Sequence, residues 1–250
     1  MSKYYNARRT RNIYGKDTSK PFKLSRSKID LFIECPRCFY LDRKLGVGRP
    51  PGYPFALNLA VDTLLKKEFD IYRATKSKHP LIEKYGIDAI PIEHDDLKQW
   101  RTNFTGIQFV HLPTNLLLFG AIDDLWQDSQ GEYIVVDYKA TAKSDEITEL
   151  NQDWHVGYKR QMEVYQWLLR QNGYNVSDIG YFVYCNGKAD RETFQGKLDF
   201  DITLIAYEGN DNWVEQTICD IHLCLNSGSI PSGSETCDYC AYRKAIEEVS

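Results

Sequence analysis

The stretch Gly120 to Lys139, GAIDDLWQDSQGEYIVVDYK, constrains the fold more tightly than any other part of the chain. Two apolar runs flank Asp128-Ser129-Gln130-Gly131, a glycine-containing turn that predicts a β-hairpin. On its second strand the side-chain period of two puts Asp137 and Lys139 on one face and turns Tyr138 to the other. Asp123 stands at the start of the first strand. Two carboxylates and a lysine are therefore expected to meet in space. They form either a weak exposed ion pair or an oxygen-lined site for a hard cation such as Mg²⁺. In the second case the lysine is at hand to orient a water or to offset charge on a phosphate.

The rest of the chain supplies elements to surround the hairpin. Ser25 to Arg43 reads as a capped helix ending near Cys35, and the Gly- and Pro-rich segment 46–54 as loop. From Phe55 to Tyr72 helical spacing gives an apolar stripe of Leu57, Val61, Leu64, Leu65 and Phe69, with Asp62 at its border. Residues 90–92 and 107–112 suit short strands. A long helix is expected from Asn151 to Asn172, closed by Gly173, with Gln161 and Tyr165 on one face. Strands at Ile179–Cys185 and Asp199–Tyr207 and a helix at Asn212–Leu225 follow. This order predicts an α/β (α+β) fold, a mixed sheet flanked by helices.

Of seven cysteines, four form two C-x-x-C knuckles at opposite ends of the chain, Cys35-Pro36-Arg37-Cys38 and Cys237-Asp238-Tyr239-Cys240. Four thiolates fill a closed metal site, and both zinc and a [4Fe–4S] cluster accept four cysteines. Such a site would join the N- and C-terminal segments. Cys185, Cys219 and Cys224 fall inside predicted elements and are expected in the core.

The net charge of −4 conceals nine Lys and Arg against Asp17 alone among residues 1–28. Residues 1–24 therefore read as a basic, flexible arm, either following a phosphate backbone or merely solubilising, and residues 25–250 as one domain. No apolar run approaches the roughly 20 residues of a membrane span, and no signal peptide is evident. A cytoplasmic protein with no membrane partner is expected. The chain lacks a P-loop, so any ATPase coupling would come from a helicase or another DNA-processing partner.

With Gly120-x-Ile122-Asp123, Asp137-x-Lys139 and Gln161-x-x-x-Tyr165 in this order and spacing, the chain resembles the PD-(D/E)XK nuclease superfamily, and within it the RecB-like and Cas4-like exonucleases, over about residues 25–243. The resemblance implies a restriction-endonuclease-like fold and a Mg²⁺- or Mn²⁺-dependent deoxyribonuclease acting on single-stranded DNA or frayed ends. It implies Asp123 and Asp137 as metal ligands, Lys139 as the catalytic lysine, and Gln161 with Tyr165 as residues that hold the DNA. It matches Cys35, Cys237 and Cys240 to the family's iron–sulfur module. The chain departs from the pattern twice. Asp62, with Glu68 as the weaker candidate, stands where a histidine or glutamate is usual, leaving an all-oxygen ligand set. Ile246 stands where a further cysteine is usual, which makes Cys38 the fourth thiolate. Two other readings stand beside this one, the first supported by the Asp62 departure and the second taking the acid cluster as coincidence. One is a binding subunit of the same fold that has lost catalysis, and the other is a zinc-stapled interaction protein.

Overall fold

A computed structural model describes residues 8–17, 19–52, 56–143, 145 and 147–249. They divide into two compact units, one of residues 8–52, 108–119 and 212–249, the other of residues 56–107 and 120–211. Both are mixed α/β, in keeping with the expected class.

The second unit holds the hairpin in a five-stranded mixed sheet of order β2-β5-β6-β7-β8: β2 (Ile90–Pro91), β5 (Asp124–Gln127), β6 (Tyr133–Thr141), β7 (Ile179–Gly187) and β8 (Phe200–Glu208). β5 and β6 run antiparallel, with Asp124 opposite Val136. In the turn between them the Asp128 carboxylate accepts from the backbone N–H groups of Gln130 and Glu132. β6 and β7 are parallel. Parallel neighbours need a crossover, and here a 3₁₀ turn (Asp153–His155) and α6 (Val156–Gln171) provide it.

Helix α6 lies close to the sheet because Gly180 has no side chain. A Cβ there would stand 2.4 Å from the sulfur of Met162. Gly173, at φ +85°, takes the left-handed conformation that follows the helix end.

Helix α3 (Ala56–Thr75) buries Leu65 and Phe69 against Trp126, Val136 and Tyr138. Two members of its expected stripe do not join them. Leu57 and Leu64 are 58% and 63% exposed, since a face centred on Leu65 at 3.6 residues per turn rotates both away from the sheet. Short helices α4 (Pro80–Lys84) and α5 (Leu97–Trp100) complete this unit.

The first unit packs α1 (Arg26–Glu34), α2 (Pro36–Arg43) and α7 (Asn212–Asn226) beside a three-stranded sheet, β1 (Phe22–Ser25), β4 (Leu116–Gly120) and β3 (Ile107–His111), and ends in α8 (Asp238–Val249). The single helix expected from Ser25 breaks at Cys35, whose extended backbone (φ −161°, ψ 102°) precedes Pro36 at the start of α2. The residue before a proline is driven out of the helical region. Ser25 occupies the N-cap position, yet its hydroxyl meets Ser27 rather than a backbone N–H.

Residues 1–7 of the expected arm lie outside the described residues. Within the basic segment from Arg8 onward, some residues contact the unit and others are exposed. Ile13 is buried, Arg9 bonds Asp42, and residues 22–25 form β1, parallel to β4. Apolar Ile13, Phe22 and Leu24, interleaved with the charges, account for this packing. No described helix is long and apolar enough to cross a membrane.

Candidate active site and cysteine cluster

The hairpin register carries Asp123 to the foot of β5, beside Asp137 on β6. The Asp123 carboxylate accepts from the backbone N–H of Tyr138 at 2.9 Å. Tyr138 itself points to the opposite face, where its hydroxyl donates to Asp124 at 2.7 Å. One strand residue thus ties both aspartates of the Asp123-Asp124 pair.

Asp124 is fully buried. It also accepts from Leu125 N at 2.8 Å and from Arg101 at 2.7 Å, and pairs with Arg73. Arg101 is held in turn by Asp70 at 2.8 Å. A buried carboxylate persists only with such partners. Burial works against the charge on Arg101, but Asp124 and Asp70 outweigh it and hold its pKa above the usual arginine value.

On the site face, Asp137 is buried and pairs with Lys139. Gln161 of α6 donates to Asp137 at 2.7 Å and accepts from the Lys139 ammonium at 3.3 Å. Its amide nitrogen also stands 2.9 Å from the buried Tyr165 hydroxyl. The four-residue spacing of Gln161 and Tyr165 puts both over β6, so the expected residues 137, 139, 161 and 165 form one hydrogen-bonded chain. The Lys139 ammonium also lies 4.5 Å from the ring of Tyr158, one turn before Gln161.

Asp62 and Asp123 meet through a residue the motifs did not mark. Lys66 stands 2.8 Å from Asp62 and 3.2 Å from Asp123. Burial, together with the charge of Asp123, pushes the Asp62 pKa up despite Lys66. Burial alone would lower the Lys66 pKa, but the two carboxylates raise it. Glu68, the weaker candidate, instead pairs with His79 at 2.9 Å. The i, i+4 spacing of Asp62 and Lys66 was the available sign of this pairing. Asp62, Asp123 and Asp137 do not gather as tightly as the cysteines. Among the described residues, the only group of three or more His, Cys, Asp or Glu ligand atoms all within 4.8 Å of one another is the cysteine cluster.

That cluster brings together Cys35, Cys38, Cys237 and Cys240. Sulfur separations are 3.7 Å for Cys35–Cys240, 3.6 Å for Cys38–Cys237 and 3.9 Å for Cys38–Cys240. A tetrahedron of thiolates about 2.3 Å from one ion has edges of about 3.8 Å. Arg49, from the loop after α2, lies 3.5 Å from the Cys237 sulfur and 2.7 Å from Glu34. Its guanidinium also covers the Tyr239 ring at 4.7 Å. No sequence pattern pointed to Arg49. Burial raises the pKa of the Cys38 and Cys240 thiols. At Cys35 burial is outweighed by hydrogen bonds from the Cys38 and Ser234 backbone and from neighbouring thiols, which lower it to about 6. Cys185 is buried in the sheet core, while Cys219 and Cys224 on α7 are only partly buried.

A family model described as PDDEXK_1, PD-(D/E)XK nuclease superfamily, matches residues 56–245. No protein with a curated description matches the chain.

Proposed function

The chain belongs to the PD-(D/E)XK nuclease superfamily, and from that membership we propose that it is a metal-dependent deoxyribonuclease, of RecB-like or Cas4-like type, that removes nucleotides from single-stranded or frayed ends. The observation that carries this reading is the chain Lys139–Asp137–Gln161–Tyr165, with Asp123 bound to the intervening Tyr138 N–H. Residues of three separate motifs are linked there through hydrogen bonds rather than only through sequence order.

The donor set fits a hard divalent ion. Asp62, Asp123 and Asp137 offer oxygen alone, as Mg²⁺ and Mn²⁺ prefer, and Asp62 and Asp123 already share a cation in the Lys66 ammonium. When bound, such an ion supplies positive charge against the oxygens of the scissile phosphate. Lys139, oriented by Asp137 and Gln161, positions the attacking water by donating to it. Gln161 and Tyr165 fix the distance between α6 and β6 and so the width of the space for the strand. In-line attack on phosphorus forms one P–O bond as the water gives up a proton to solvent, and breaks the bond to the leaving sugar oxygen, which takes up a proton. A helicase or other DNA-processing partner would present the end.

For the cysteines, three sulfur pairs at 3.6–3.9 Å and all four sulfurs within 4.8 Å of one another favour a single tetrahedral ion, structural Zn²⁺. A [4Fe–4S] cluster, in which each thiolate binds a different iron, spreads its ligands wider.

The substrate reading is tested with linear and circular single strands of one sequence, offered with Mg²⁺ or Mn²⁺. Shortening of the linear strand from an end while the circle persists is the expected outcome. Linearisation of the circle at a comparable rate would replace the exonuclease reading with an endonuclease.

A further inference from the structure

Trp154 is 44% exposed, yet both its ring contacts fix it in place. Its indole lies on the fully buried ring of His155, centroids 3.7 Å apart, and meets Tyr158 edge-on at 5.7 Å. His155 is itself anchored. Its Nδ1 accepts from the Gln152 backbone N–H at 3.1 Å, within a reciprocal capping box that opens the 3₁₀ turn. An isolated exposed aromatic needs no explanation, but a tryptophan held rigid against solvent by a capped turn has already lost the freedom that binding would otherwise cost.

One lysine contacts this ring and a second lies one ring away. The ammonium of Lys143 lies over the Trp154 ring, 5.9 Å from its centroid. Its backbone is locked by Asn186, which accepts from Lys143 N at 2.8 Å and donates to Lys143 O at 3.0 Å. Tyr158, which meets Trp154 edge-on, also lies 4.5 Å from the Lys139 ammonium. An exposed aromatic ring with a lysine over it, one ring away from the lysine of the proposed active site, suits a single strand: a base takes the ammonium's place over the ring and the ammonium moves to a phosphate.

We propose that Trp154 is a stacking platform for a nucleobase of the bound single strand, with Lys143 contacting the phosphate beside that base. The inference rests on the nuclease reading and adds a subsite to it. It requires an unpaired base, because a base inside a duplex keeps its faces covered by its neighbours.

The test measures binding of a labelled single-stranded DNA oligonucleotide, with Ca²⁺ in place of Mg²⁺, to wild type, Trp154→Ala, Trp154→Phe and Lys143→Ala. A series of the same oligonucleotide carries one abasic residue at successive positions. Trp154→Ala is expected to bind about tenfold more weakly, and Trp154→Phe to recover most of the loss. Wild type should lose a similar factor for an abasic residue at one position, and Trp154→Ala should be indifferent to that change. Lys143→Ala should lower the salt slope by about one. If wild type binds the oligonucleotide, and cleaves it once Mg²⁺ replaces Ca²⁺, while Trp154→Ala matches it in affinity and in abasic sensitivity, the platform is wrong and the nuclease reading stands. If wild type binds no oligonucleotide, both are overturned.

Discussion

Asp62 and Asp123, one from a helix and one from the foot of a hairpin, share a counter-ion: the Lys66 ammonium stands 2.8 Å from the first and 3.2 Å from the second. Replacing Lys66 by Met leaves two half-buried carboxylates facing each other. The metal-free variant should melt about 4 °C below wild type. Mn²⁺ should then raise its melting temperature by more than it raises that of wild type, since no internal cation competes. Equal melting curves with and without Mn²⁺ would remove Lys66 from this role.

Asp124 supports the site from behind. It is fully buried and binds Arg73, Arg101 and the Tyr138 hydroxyl, so Asp124→Asn leaves the two guanidinium groups only the more exposed Asp70 as charge partner. Urea unfolding should show a loss of about 3 kcal/mol. A loss under about 1 kcal/mol would mean that the arginines find other partners.

Asp42 gives the acid limb of the stability profile a specific source. Burial works to raise its pKa, but Lys28, Arg43 and Arg9 outweigh burial and bring it from 3.8 to about 2. A carboxylate whose pKa is depressed on folding contributes stability that is fully present above the unfolded value and lost as pH falls through the folded one. Here that window runs from about pH 4 to about pH 2, and the amount is about 2 kcal/mol. Asp42→Asn should lower stability at neutral pH and flatten the decline across this window. An unchanged slope would contradict the assignment.

Much of this arrangement is legible in the sequence because short-range rules govern it. A turn with Gly131 and a strand period of two bring 123, 137 and 139 together, a helix spacing of four puts 161 and 165 on one face, and two C-x-x-C pairs foretell a four-thiolate cluster; that the helix pair joins the strand pair is implied only by the family resemblance. What escapes is set by tertiary context. Lys66 follows Asp62 at an ordinary helical spacing, and only the approach of Asp123 makes it more than a surface pair. Arg49 lies in a loop with no periodicity, and α8 carries no buried side chain that would print an apolar stripe. In the basic segment the charges dominate the reading, and the apolar Ile13 and Leu24 that are buried there carry no periodic signal.

The cysteine spacing predicts about one zinc per chain by elemental analysis of protein purified without oxygen, with no inorganic sulfide. Zinc removal by a chelator should destabilise the protein, and Cys237→Ser should do the same without chelator. Iron with acid-labile sulfide in place of zinc would assign the site to a cluster.

The central claim is tested most directly by single-turnover cleavage of end-labelled single-stranded DNA in Mg²⁺ or Mn²⁺, comparing wild type with Lys139→Ala. Wild type should cleave only with the metal, and the variant should be slower by about a hundredfold or more with its fold and cysteine-bound metal intact. A folded, metal-loaded wild type that cleaves nothing, or a Lys139→Ala variant that cleaves at the wild-type rate, would contradict the account.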